Sequence, residues 1–280
     1  MTLSTYPFLK GHGTENDFVL LPDHDGSVHG SLSAEDWSAR VRALCDRRAG
    51  IGGDGVLRVV RDGALWFMDY WNADGSVSEM CGNGIRVFAR HLLEEGLVAA
   101  DQPLPVQTRD GVKTITFDGS GGAITVDMGE PRLMGQTSVS IGSTSWEATH
   151  VDMGNPHAVA FVESLSPEGP VGSLDSSPVF DETVYPHGVN VELVVPVGPG
   201  HVAMRVHERG SGETRSCGTG ACAVAVAAAV RDGAGPAGEG RGSTYTVDLP
   251  GGTLVIEWTE AGRVLMTGPA VVVARGETAL

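Results

Sequence analysis

The chain is poor in basic residues: 19 Lys and Arg stand against 35 Asp and Glu, a formal charge of −16. No concentrated basic patch offsets this, which excludes a surface for nucleic acid or an anionic membrane, since either partner would be repelled. Long hydrophobic runs are absent as well. The longest, residues 221–230, is too short to span a bilayer, and the opening MTLSTYPFLKGHG lacks the apolar core of a signal peptide. A soluble, cytoplasmic protein is expected. Cysteine is scarce and scattered: Cys45, Cys81, Cys217 and Cys222 form no C-x-x-C pair. Neither a zinc site nor a disulfide framework is suggested, and the four should be thiols in a reducing compartment.

Glycine, by contrast, is abundant. The 40 glycines in 280 residues are about twice the usual ~7% share, as tight turns or close backbone approach to a ligand would require. Short β-branched runs bounded by Gly, Pro or Asp predict strands over residues 17–21, 56–60, 65–71, 113–117, 123–128, 146–153, 158–162, 190–195, 202–207, 245–249, 254–258 and 264–266. Helices are few. Residues 34–48 open with Ser33 and Asp36 as a capping box and carry Trp37, Val41, Leu44 and Cys45 on one face, so Cys45 belongs to the core. Residues 221–230 are apolar on every face, which calls for enclosure by strands on all sides and buries Cys222. Residues 233–242, GAGPAGEGRG, read as a surface connection.

Two stretches carry the chemistry. EMCGNGIRVFARHLLEEG and TRSCGTGACAVAVAAAV each place a cysteine and two glycines where a helical pattern begins, about half the chain apart. A helix N-terminus offers unpaired N–H groups and the positive end of the dipole. A thiol there is biased toward thiolate, with a pKa that can fall to ~3.5–7.5. The glycines let backbone N–H groups approach a carboxylate or phosphate. One such cysteine reads equally well as a small buried residue beside a turn; two copies, each after a polar loop, favour a pair of acid/base groups. Cys81 and Cys217 facing one another across a cleft between two similar halves could remove a proton from one face of a carbon and deliver one to the other. The outcome is inversion of a stereocentre.

Two glycine patterns compete. Gly50, Gly52 and Gly55 satisfy G-x-G-x-x-G but follow a helix and precede a strand, the reverse of dinucleotide binding. Gly218, Gly220 and Ala223 do open a helix after a strand, though a long polar loop intervenes; nucleotide binding through them is the rival from another class.

The segments KGHGTENDF, NADGSVSEMCGNG, MGNPH, HGVNVE and ERGSGETRSCGTGACA resemble, in order, the signatures of the diaminopimelate epimerase family. The resemblance spans nearly the whole chain. It implies an α+β fold of two pseudo-symmetric domains, each a rolled, mostly antiparallel sheet around a central helix: residues 1–120, with 268–280 returning to them, and residues 121–267. It further implies a cofactor-independent isomerase, free of pyridoxal phosphate, that interconverts LL- and meso-diaminopimelate for lysine and peptidoglycan synthesis. Cys81 and Cys217 would be the acid/base pair, tuned by His157 and Glu208. Backbone N–H groups of Gly82, Asn83, Gly218 and Thr219 would cradle the reacting carboxylate. Asn16, Asn72, Asn155, Asn190 and Arg209, with Glu208, would bind the substrate, chiefly its distal centre. No metal is implied, and a homodimer is the default assembly. Glu15 departs from the family, which has glycine there. Proline and hydroxyproline racemases resemble this family in fold and paired cysteines, but Asn83 and Arg209 suit a ligand with a second carboxylate better. A non-enzymatic amino-acid-binding protein would need no pair of helix-start thiols.

Overall fold

A computed structural model describes residues 5–119, 122–233 and 242–280; most of the connection at 233–242 lies outside them. In chain order the elements are β1 (Tyr6–Gly13), β2 (Asn16–Pro22), α1 (Ala34–Cys45), β3 (Gly55–Asp62), β4 (Leu65–Asn72), α2 (Gly82–Glu94), β5 (Leu104–Thr108), β6 (Gly111–Phe117) and β7 (Ala123–Gly129). There follow β8 (Arg132–Ile141), β9 (Thr144–Asp152), β10 (Pro156–Phe161), β11 (Val179–Phe180), β12 (Asn190–Gly198), β13 (His201–Glu208), β14 (Gly212–Thr214) and α3 (Gly218–Arg231). The remaining strands are β15 (Ser243–Leu249), β16 (Gly252–Trp258), β17 (Val264–Pro269) and β18 (Val271–Thr278). No helix among the described residues is long and apolar enough to cross a membrane.

The chain forms two compact units, Met1–Val126 with Gly268–Leu280, and Asp127–Thr267. Both crossings fall inside strands, β7 and β17.

In the first unit the strands run β18-β1-β2-β3-β4-β5-β6-β7, with parallel pairing only at β2–β3 and β4–β5. The sheet wraps α2, which packs on β1, β2, β3, β4 and β18. Strand β2 shows why: Phe18, Val19, Leu20 and Leu21 are all buried, so both faces of the strand are covered. Val19 and Leu21 pack outward on Trp37, Val41, Leu44 and Cys45 of α1, while Phe18 and Leu57 face Gly84 of α2. The second unit repeats the order. Its strands run β8-β9-β10-β12-β13-β15-β16-β17, again with two parallel pairs, β10–β12 and β13–β15, and α3 packs on β9, β10, β12, β13, β15 and β16.

Local chemistry sets the boundaries. Ser33 caps α1 by accepting from Asp36 N at 3.1 Å. The helix ends at Cys45, short of the expected residue 48, because Asp46 leaves the helical region and its Oδ1 accepts from Arg48 N and Ala49 N. Helix α3 is buried from Ala221 to Ala229, but Val230 is 39% exposed, so the last turn emerges from the enclosure expected for it. Strands β1, β5, β8, β11, β14 and β18 were not anticipated. Strands β8 and β18 are mostly exposed and β11 and β14 only two and three residues long, so none carries a buried apolar alternation.

The β1–β2 hairpin closes in two residues, with Gly13 opposite Asn16 and both Thr14 and Glu15 at positive φ, 49° and 63°. That is the geometry for which glycine is favoured, and it accounts for the glycine the family resemblance places at position 15. Left-handed backbone costs a side-chain-bearing residue ~1–2 kcal/mol, partly offset by the greater unfolded-state freedom of glycine. Glu15→Gly should therefore stabilise the protein by about 0.5–1 kcal/mol, seen as a higher urea midpoint at unchanged slope.

Candidate active site

Each of the two central helices begins on a cysteine. Cys81 is the N-cap of α2, in extended conformation (φ −140°, ψ 121°), and its Sγ accepts from Gly84 N at 3.4 Å. Cys217 is the N-cap of α3 (φ −120°, ψ 113°), and its Sγ accepts from Gly220 N at 3.4 Å. The sulfur takes the place usually held by a Ser or Asp oxygen. The glycine three residues on lies close to each cysteine: a Cβ at Gly84 would lie 3.4 Å from Cys81 Cβ, and one at Gly220 would crowd Cys217 Sγ at 3.2 Å.

In the first unit the sequence-selected residues Asn16, Cys81, Gly82 and Asn83 come together. Asn16, at the start of β2, turns Oδ1 toward Cys81 Sγ at 3.5 Å and Asn83 Nδ2 at 3.2 Å. Gly82 and Asn83 precede the first intrahelical bond, Ile85 N to Cys81 O, so their N–H groups belong to the open first turn. The Asn83 side chain is buried, however, and faces Asn16 and Arg86. Asn72 caps a turn instead: its Nδ2 donates to Ser76 Oγ at 3.0 Å and its O accepts from Gly75 N.

In the second unit, His157 on β10 is fully buried between two acceptors, Glu192 Oε1 at 2.6 Å from Nδ1 and Asn155 Oδ1 at 3.0 Å from Nε2. Asn190 is a strut: Nδ2 donates to Pro156 O at 3.1 Å and Oδ1 accepts from Arg209 N at 3.0 Å, tying β10 to the end of β13. Arg209 is exposed, reaches His187 O at 3.4 Å, and lies over Gly188 (φ 80°). Glu208 accepts from the Thr214 hydroxyl. Thr219 Oγ1 sits 3.6 Å from Cys217 Sγ. Glu192, the final residue of HGVNVE, was not singled out in the sequence. A carboxylate inside an otherwise apolar strand, VNVELVV, was its signal, because such a group is retained in a core only with a partner.

The electrostatics correct one expectation. The Cys217 thiol is not biased toward thiolate: burial pushes its pKa well above the ordinary value, and the Glu208 and Glu192 carboxylates push further, against the opposing bonds from Thr219 and Gly220 N. One N–H and a helix dipole lose to desolvation and two negative charges. Burial also raises the Glu208 carboxyl, partly opposed by hydrogen bonds from Thr214 and Cys217. Gly220 presses on Glu192, whose Oε1 would be 2.7 Å from an added Cβ. A carboxylate thus fills the space that a pyrophosphate would need, which removes the dinucleotide reading of Gly218, Gly220 and Ala223.

Comparison with solved structures finds the same fold elsewhere. It matches the Bacillus anthracis phenazine biosynthesis protein of the PhzF family with TM-score 0.73 at 15% identity, covering 98% of this chain and 99% of that one. It matches a probable proline racemase from Agrobacterium radiobacter with TM-score 0.68 at 15% identity, covering 98% and 93%. At such identity the likeness is one of fold alone. The family model for diaminopimelate epimerase matches residues 8–134 and 149–273. The diaminopimelate epimerase of Streptomyces coelicolor is 56% identical over 282 residues, 96% of this chain and 94% of that protein. That of Rhodococcus opacus is 46% identical over 291 residues, 96% of each. The chain belongs to the diaminopimelate epimerase family.

Two outcomes follow from the second unit. Gly220→Ala should displace Glu192 and abolish most activity while the protein still folds, as near-ultraviolet circular dichroism would register. At about pH 8, close to the ordinary thiol pKa, Cys217 in the ligand-free protein should alkylate more slowly than free cysteine. Glu208→Gln, which removes a charge that opposes the thiolate, should speed that reaction several-fold.

Proposed function

We propose that this chain interconverts LL- and meso-diaminopimelate without a cofactor, with Cys81 and Cys217 as the two acid/base groups. The observation that carries the reading is the repeated cap: in a member of this family, each unit opens its central helix on a thiol whose sulfur meets the same backbone donor at the same distance. Inversion at carbon needs two proton-transfer groups, one for each face, and a single thiol could only return the proton it took.

In either direction one sulfur, as thiolate, removes the α-proton while the other, as thiol, donates. Direction is set by which sulfur is ionised when substrate arrives. The buried, carboxylate-flanked Cys217 favours the thiol, so in the ligand-free protein it is the better donor. Binding then changes the balance. The α-ammonium and the backbone N–H groups of Gly82, Asn83, Gly218 and Thr219, gathered around the reacting carboxylate, offset negative charge as it develops. A donor of this kind is worth ~3–4 kcal/mol in an oxyanion hole. His157 and Glu208 hold and adjust the thiols, His157 through the buried Glu192. The exposed Arg209 guanidinium matches a distal carboxylate in a bidentate way, and Asn16, Asn72, Asn155 and Asn190 complete the distal contacts, Asn190 chiefly by holding the Arg209 backbone. The expected setting is the cytoplasm, in lysine and peptidoglycan precursor synthesis, with a homodimer as the assembly and the two halves bounded near residues 120 and 268.

The test is incubation of the fully reduced protein with LL-diaminopimelate in deuterated water, following α-deuterium uptake and stereoisomer ratio together. Uptake with conversion to the meso form is expected, falling at least ~10²–10⁴-fold in Cys81→Ala and in Cys217→Ala. No uptake and no conversion by the intact protein would remove the substrate assignment.

A further inference from the structure

Next to Cys81 runs a line of polar side chains whose directions are fixed from both ends. A carboxylate only accepts and a guanidinium only donates, whereas an amide can turn either end to a neighbour. Asp54 Oδ2 lies 2.7 Å from Asn16 Nδ2 and obliges Asn16 to present its NH2 outward, which leaves Oδ1 toward Cys81 Sγ. Arg86, with no exposed surface, donates from Nη2 to Asn83 Oδ1 at 2.9 Å and from Nη1 to Gly82 O at 3.1 Å. Asn83 must therefore turn its NH2 toward Asn16 Oδ1, at 3.2 Å. Both ends demand the same polarity. Asp54 is itself held: Arg47 donates to its Oδ1 at 2.8 Å, and Asp17 N to its Oδ2 at 3.1 Å.

We propose that Asp54 and Arg86 are positioning residues that act through Asn16 and Asn83 to keep a carbonyl acceptor against the Cys81 sulfur. At the sulfur, Asn16 Oδ1 favours the thiol and opposes the thiolate, while Gly84 N–H at 3.4 Å favours the thiolate. In the reverse polarity an NH2 would meet the sulfur and the resting site would carry a thiolate open to oxidants. The proposal rests on Cys81 serving as an acid/base group, but its test does not use substrate.

The experiment measures alkylation of Cys81 and Cys217 by iodoacetamide at neutral pH, each followed by peptide mass, in the wild type, Asp54→Asn and Asp54→Ala. It is run at low salt and at about 1 M salt, where the screening length is only ~3 Å. Asp54 is exposed enough, at 43% of its side chain, for both variants to fold. Released from the carboxylate, Asn16 is held in its polarity only by Asn83, and the fraction that turns over can donate to the thiolate. Cys81 should then react about tenfold faster in both variants at either salt, with Cys217 unchanged. An unaltered Cys81 rate in both variants would overturn the proposal. So would a gain that vanishes in high salt, which would mean charge alone, or an equal gain at Cys217, which would mean general loosening. A variant that alkylates as expected while the wild type fails to epimerise diaminopimelate would sink the functional reading and leave this one standing.

Discussion

A cysteine sulfur accepting the backbone N–H three residues further on, at the first turn of a helix, is the contact on which the molecule is organised. It occurs twice, at 3.4 Å each time. In both places the helix begins Cys-Gly-x-Gly, and at Gly220 an added Cβ would lie 2.7 Å from Glu192 Oε1 and 3.2 Å from the sulfur. A start so rich in glycine is a weak helix former. Packing has to supply what propensity does not, and the rolled sheets do so: strands contact α2 from five directions and α3 from six.

The same enclosure explains the polar interior. A thiol at the end of a wrapped helix is cut off from water, and every polar group that orients it is cut off as well. His157 Nδ1 and Glu192 Oε1 meet in a fully buried pair, Glu192 Oε2 has no hydrogen-bond partner among the described residues, and Arg86 spreads donors over Gly82 O, Pro269 O and Asn83 Oδ1. Such groups are costly to bury singly and tolerable when each donor meets an acceptor. At Cys217, burial and the Glu208 and Glu192 carboxylates outweigh the bonds from Thr219 and Gly220 N, and the thiol is raised.

Much of this was legible in the sequence, though β5 was not, despite the buried Leu104 and Val106 on one face. The central strands, the two thiol-capped helices and the burial of Cys45 and Cys222 were readable because each carries a periodic or continuous apolar signal. Strands β8 and β18 were not, since they are held by ladder hydrogen bonds with their side chains largely in water. In the site, residues that meet through local geometry, such as Cys217 with Gly220, were found from spacing. Glu192, Asp54 and Arg86 were missed. Each acts through a partner brought near by strand pairing or helix docking, as Glu192 with His157 or Asp54 with Asn16, and nothing in linear spacing marks such a meeting. The Cys217 thiol was misjudged for the same reason, because its two carboxylate neighbours arrive from β12 and β13.

Strand β1 is paired on one side by β2, adjacent in sequence, and on the other by β18, with Tyr6 opposite Thr278. The second unit is a continuous segment set inside the first. On a ribosome this imposes an order of events. The second unit can close as soon as it clears the exit tunnel, whereas the first must hold β1 with one bare edge until translation delivers β18, nearly the whole chain later. An unpaired edge is a template for the wrong strand, and domains tend to fold as units in the order of their synthesis. The half whose helix begins at Cys81 thus keeps an open edge while the whole second unit is synthesised, and the two halves are completed within a few residues of one another, by β17 and β18.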